Sequence, residues 1–426
     1  MYVTLVIAMP SLLAPRPTSV PLPPGASVEW YRTPLAPALS RRLHALSDAK
    51  GAAQTLGFLA QLALWAGGAV HCQQHGRPVL ALLFSLLYGA QANFLINAMH
   101  ELGHGCVFKT PWLNHLFCRV VSFLGWLHPD LFFSSHLRHH RFTQHGAPPT
   151  GPPLDLENPM PVRITLSDFL SFGFVNVRGF VDIVLLQTLR AALGLWPTGH
   201  LGWRKDWENY LYPEKAAPAD RAAPVLWARV LVLGHALAAW AALSRGLWLV
   251  PVLLSLGPFF NGWLFFLCNS TQHVGLSPGV ADFRLNTRTF LLRNALVRHW
   301  YWSMNYHTEL HIYSAVPCYH LAELHEAIKH DLPPTPDGLV AVWKVIANDL
   351  KRQAADPSWV EPIALPKTKL VVGPQASAAA HAGFDDDDDD EEEEEGERGR
   401  KAAAEAEKGK QGGEASLRSR QRGAAT

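Results

Sequence analysis

Histidine stands out in this 426-residue chain, with 21 copies, and many of them fall in short groups spaced by one helical turn. In NAMHELGHG, His100 and His104 lie four residues apart and so share one face of a helix. SSHLRHHRFTQH carries His136, His139 and His140 at i, i+3 and i+4, with His145 as a further candidate. CNSTQHVG sets Asn269 four residues before His273, and MNYHTELH repeats that spacing with His307 and His311. Neutral imidazole is the commonest metal ligand and suits iron and zinc alike. His100, His104, His136, His139, His140, His273, His307 and His311 together exceed what one tetrahedral or octahedral ion can use, so the pattern predicts two ions. Isolated histidines, among them His71, His75, His115, His128, His235 and His299, read as surface or packing residues.

The elements that must position these groups are membrane elements. Hydrophobic residues make up 48% of the chain and charged ones 17%, with a formal net charge of +1. That balance leans toward membrane and gives no basic excess for nucleic acid. Stretches 51–70 and 78–99 contain no charged residue, and each is about long enough to cross a hydrocarbon core of roughly 30 Å. HCQQHGRP makes the tight turn between them. A second pair of spans is predicted over 223–243 and 246–267, joined by SRG, with Pro251 and Pro258 kinking the last. Stretch 166–196 is apolar but carries Asp168, Arg178, Asp182 and Arg190, which fits an interfacial helix better than a fifth span.

Two hairpins bring both termini and every histidine group to one face. The opposite turns carry only Arg77 and Arg245, so the positive-inside rule makes that face cytosolic. The expectation is therefore an all-α polytopic membrane protein, with four transmembrane helices in two hairpins and a cytosolic helical cap carrying the histidine clusters. Residues 1–50 are read as a cytosolic leader, 51–365 as the membrane domain, and 366–426 as a disordered tail containing the acidic run 385–395. The five cysteines include no CxxC pair, so neither a disulfide framework nor a zinc knuckle is expected.

HELGH, HLRHH and HTELH, with His273 alone before the last, resemble the three histidine boxes of membrane fatty-acid desaturases and related hydroxylases. The surrounding words HELGHGCVFKTPWLN, DFRLNTRTF and YWSMNYHTELHIYSAVPCYHLAELHEAI resemble the same family, and the likeness covers about 51–366. It implies that the eight clustered histidines bind two irons, and that Asn269 matches a position able to hold a metal-bound water. It further implies oxygen-dependent removal of hydrogen from an unactivated methylene of a lipid acyl chain. Electrons would come from an external carrier such as cytochrome b5 or ferredoxin, because no HPGG haem motif is present. An integral membrane location follows, in the endoplasmic reticulum if the source is eukaryotic.

One position departs from the family pattern. The third box is expected as HxxHH, and Leu310 stands where a histidine is expected. Leucine coordinates nothing, so either Glu309, His320 or water substitutes, or the chain is a non-catalytic membrane protein that keeps the fold. A third reading takes HELGH as an HExxH zinc-protease signature, with Glu101 as general base and Asp337 of TPDG as a distal ligand. That reading leaves HLRHH and HTELH without a role.

Overall fold

In the computed structural model of the chain, the described residues are 14–15, 22, 26–146, 154–157, 166, 170, 173–195, 210–212 and 217–366. All of them fall in the first of two compact units, Met1–Lys367; the second, Thr368–Thr426, lies outside the described residues, and with it the predicted acidic tail. Among the described residues the elements are helices, and the only β contacts are isolated bridges. The five cysteines are free and buried.

Helix α1 (Asp48–Gln74) starts where Ser47 accepts a hydrogen bond from the Lys50 N–H at 3.3 Å and Asp48 sits in the positive first turn. Gly76, at φ +65°, turns the chain, and Pro78 opens α2 (Pro78–Ala92) at a position where its missing N–H costs nothing. The two helices pack tightly: a Cβ on Gly68 would stand 2.9 Å from the Phe84 ring. Gln91 donates to the Phe58 carbonyl at 2.8 Å in the buried interface. After a brief interruption at Asn93 and Phe94, α3 (Leu95–Gly103) carries the same apolar course to the first histidine group.

Next come α4 (Pro111–Gly125) and α5 (Pro129–Phe142), which turn through 109° between them. Trp126, left-handed at φ 56°, ends α4, and α5 presents the second histidine group on its last turns. Within the predicted interfacial stretch, Val177–Phe180 is α-helical and Val181–Leu189 is a π-helix. Helix α6 (Pro218–Leu243) is the third long apolar helix.

Among the described residues three helices are long and apolar enough to cross a membrane, Asp48–Gln74, Pro78–Gly103 and Pro218–Leu243, and a fourth is counted if the bent α4–α5 pair is one span. The predicted span 246–267 differs from expectation. It is divided into α7 (Leu249–Leu256), a 3-10 turn Gly257–Phe259, and α8 (Trp263–Asn269). Pro258 supplies no N–H and Asn261 adopts φ 54°, so the α-helical ladder stops there. The freed groups find partners elsewhere: Asn176 N–H donates to the Phe259 carbonyl at 2.7 Å, Asn93 Nδ2 to the Phe260 carbonyl at 3.0 Å, and Asn261 N–H to the Phe174 carbonyl at 3.0 Å. The last elements are α9 (His307–Ile312), α10 (Leu321–Ile328) and α11 (Leu339–Ala355).

Candidate metal centre

Two groups of four imidazoles form where α3, α5, the turn after α8, and α9 meet. His100, His104, His136 and His140 make the first, and His139, His273, His307 and His311 the second; within each, the ligand nitrogens lie within 4.8 Å of one another. A divalent ion bound by imidazole nitrogens at about 2.0–2.1 Å sets its ligand nitrogens at most about 4.2 Å apart, so donor atoms already within 4.8 Å of one another need close by only a few tenths of an ångström to share an ion. Helix geometry explains the division. On α5, His136 and His140 share a face at i, i+4, while His139, one residue away, points to the other group.

Hydrogen bonding orients the rings. Asp155 accepts from His139 Nδ1 at 3.0 Å, Glu157 from His136 Nδ1 at 3.2 Å, and Glu101 from His100 Nδ1 at 2.9 Å. A carboxylate can only accept, so each bond fixes the hydrogen on Nδ1 and leaves the Nε2 lone pair for a metal. His273 Nδ1 reaches the Asn286 carbonyl at 3.0 Å to the same effect. Thr143 gives its hydroxyl hydrogen to the His139 carbonyl at 2.7 Å, so its oxygen receives His311 Nδ1–H at 3.2 Å.

Ring nitrogens are thus packed against one another. His307 Nε2 lies 2.9 Å from His273 Nε2 and 3.2 Å from His311 Nε2, and His104 Nε2 lies 3.2 Å from His136 Nε2. His100 Nε2, both ring nitrogens of His140, and His307 Nδ1 are buried with no hydrogen-bond partner. Burial, reinforced by the neighbouring rings, holds His273 down to about 3 and keeps His307 and His311 well below the ordinary imidazole range. They are therefore neutral and able to ligate near pH 7. Buried orphaned nitrogens, neutral rings and acidic partners behind them fit a pair of divalent transition-metal ions.

Other sequence candidates sit outside the two groups. Asn269 ends α8, with Oδ1 3.5 Å from Asn97 Nδ2. His145 turns its Nδ1 to the Thr143 carbonyl and packs its ring perpendicular to that of Trp30. Leu310 is 2% exposed within the apolar core. Neither suggested substitute reaches the imidazole groups: Glu309 is bonded to Thr289 and His325, and His320 to Lys50 at 2.9 Å. Asp337 forms an exposed ion pair with Arg293 at 2.7 Å, which removes the distal ligand a zinc protease would need. His128, His235 and His299 bond to Thr188, Ser255 and Gln54, as packing histidines do.

Sequence reasoning missed Asp155, Glu157 and Thr143. Their signal was present but faint: Asp155 and Glu157 flank the buried Leu156, an acid–apolar–acid pattern shortly after the second box. It also missed Arg288, which donates to the Thr271 and Val274 carbonyls at 3.0 and 2.9 Å and so braces the turn that carries His273.

The described residues are helical, with helices long and apolar enough to cross a membrane and two converging histidine quartets that could each hold a metal ion. Residues 76–343, more than half the chain, match the fatty acid desaturase family, and this protein belongs to it. No individually curated protein matches the chain.

Proposed function

We propose that this protein is an oxygen-dependent di-iron desaturase or hydroxylase acting on the acyl chain of a membrane lipid. The observation that carries the reading is the two buried imidazole quartets, formed from all eight histidines of the three boxes and the lone His273, in a chain of the desaturase family. Iron bound there supplies the oxidation of an unactivated C–H bond, with dioxygen as oxidant.

His100, His104, His136 and His140 would hold one ion, and His139, His273, His307 and His311 the other. Glu101, Glu157 and Asp155 keep the Nδ1 hydrogen on His100, His136 and His139, so these rings meet a metal with Nε2 and without prior reorientation. Packing around the quartets limits water at the site, which protects an oxidising reaction from side paths. Removing hydrogen from adjacent carbons while dioxygen is reduced to water consumes a pair of electrons from outside the lipid. An external carrier, cytochrome b5 or ferredoxin, is the proposed source. The proposed arrangement in the bilayer is four spans, counting the broken course of α7 and α8 as the fourth, with the quartets and both termini cytosolic.

Two measurements test this together. Purified protein reconstituted anaerobically with ferrous iron is expected to retain two irons per chain, and cells expressing it are expected to gain an unsaturated or hydroxylated lipid. Iron near zero would refute the reading. Retained iron with no change in lipid would instead support the non-catalytic alternative, which Leu310 in the third box favours.

A further inference from the structure

A short N-terminal strap, Trp30 to Thr33, passes beside the second quartet, with Phe283 between Trp30 and His311. It is fastened at several points to segments distant in sequence. Tyr31 N–H donates to the Ala281 carbonyl at 3.0 Å. The Tyr31 hydroxyl and Thr33 Oγ1 both donate to Oδ2 of buried Asp331, at 2.7 and 2.8 Å. Arg284 takes the other oxygen of Asp331 at 2.7 Å and lies over the Tyr31 ring, 3.9 Å from its centre. Tyr313, just beyond α9, donates its hydroxyl to the Thr33 carbonyl.

Trp30 is the inner end of this strap. Its indole N–H donates to the Arg141 carbonyl at 2.9 Å, directly after the second histidine box. Its ring stacks flat on Phe283, with centroids 3.9 Å apart and planes 8° from parallel. Phe283 is buried, and its ring lies 5.3 Å from that of His311. The His145 ring stands nearly perpendicular to that of Trp30, with centroids 5.4 Å apart. The order from outside inward is therefore half-buried Trp30, buried Phe283, and then His311 of the second quartet.

We propose that Trp30 is a positioning residue that clamps Phe283 over His311, so that the N-terminal strap limits access of water and chelators to the quartet of His139, His273, His307 and His311. The flat stack and the indole N–H bond pin Phe283 between the strap and the ligand ring. Four tethers that converge on residues 30–33 from residues 141, 281–284, 313 and 331 hold the cover closed. Metal loss from the second quartet then requires the strap to lift. The consequence for metal loss rests on the reading of that quartet as a metal site; the cover itself does not.

The test uses full-length protein in detergent, as wild type, Trp30→Ala and Trp30→Phe. The first readout is the rate at which loaded iron passes to a competing chelator. The second needs no metal: acylation of His311 by diethyl pyrocarbonate in metal-free protein, read by mass spectrometry against His299, which packs elsewhere beside Gln54. Trp30→Ala is expected to raise both the iron-release rate and His311 acylation several-fold, with His299 unchanged. Trp30→Phe keeps a flat ring and is expected to stay close to wild type. Should the alanine protein fail to accumulate, Trp30→Leu, apolar but not flat, is read in its place with the same expectation. Unchanged His311 acylation would overturn the proposal, as would an equal rise at His299 or a phenylalanine variant no better than alanine. If the wild type takes up no iron, the metal reading fails, and acylation still decides the cover.

Discussion

Both oxygens of Asp155 lie within reach of His139 Nδ1–H, at 3.1 and 3.0 Å, and they also accept the Glu157 and Gln144 backbone N–H groups. Asp155 therefore orients a ring of the second quartet and also the residue, Glu157, that orients His136 in the first. Asp155→Ala is expected to weaken metal binding by roughly 10- to 100-fold, the usual cost of losing an acid behind a ligating histidine. A competitive metal titration against wild type checks this, and equal affinities would show that the carboxylate does not tune the site. Leu310 presents the opposite case, an apolar side chain where the family pattern calls for imidazole. Each quartet holds four rings, and residue 310 follows His307 by about one helical turn, so an imidazole there would share the face that carries His307. Leu310→His buries a polar ring in the core, which should cost about 1–3 kcal/mol if it finds no partner. Melting of the metal-free variant is thus expected below wild type, with a larger rise on adding ferrous iron. A rise no larger than that of wild type would mean the new ring reaches no ion. The histidines were legible in sequence because a helix converts i, i+4 spacing into proximity. Asp155 and Glu157 were not, because no local period connects them to His139 and His136.

At the scale of elements, Gly103 sets how closely α3 approaches α5. A Cβ there would stand 1.8 Å from the Phe133 ring, and Phe133 sits beside His104 and His136. Gly103→Ala must push that ring aside, at an overpacking cost of about 1–3 kcal/mol. Both a lower melting temperature and reduced iron retention are expected, since the displaced ring lies against ligands of the first quartet. Iron retained at the wild-type level would separate the packing from the site. The long apolar helices were readable from charge-free runs, because length and hydropathy suffice for a continuous helix. The break between α7 and α8 was only hinted at by Pro258. Its depth depends on Asn93, Asn176 and Phe174, whose contributions come from distant parts of the chain and leave no periodic trace.

For the molecule as a whole, the two quartets can form only if residues 100–140 and 273–311 emerge on one side of the bilayer. Epitope tags inserted after Glu157 and after Pro366 are accordingly expected to be accessible from the same side, the cytosol. Selective permeabilisation with antibody labelling measures this. Tags found on opposite faces would make a shared centre impossible and sink the proposed function along with the topology.

The asparagines at the helix break have a consequence for biosynthesis. Asn93 Nδ2 bonds to the Gly89 and Phe260 carbonyls at 2.7 and 3.0 Å, and Asn261 Nδ2 bonds to the Leu86 carbonyl at 2.7 Å. During synthesis a segment is admitted to the bilayer on its summed hydrophobicity, and an amide counts against it. After insertion, the same amide answers a carbonyl that would otherwise lack a donor in a medium without water, a deficit of several kcal/mol. Asn93→Leu is therefore expected to increase the fraction of chains inserted by microsomes and to decrease the protease-resistant fraction among those inserted. A gain in both would show that the break needs no donor. Entry into the membrane and completion of the fold thus place opposite demands on this one side chain.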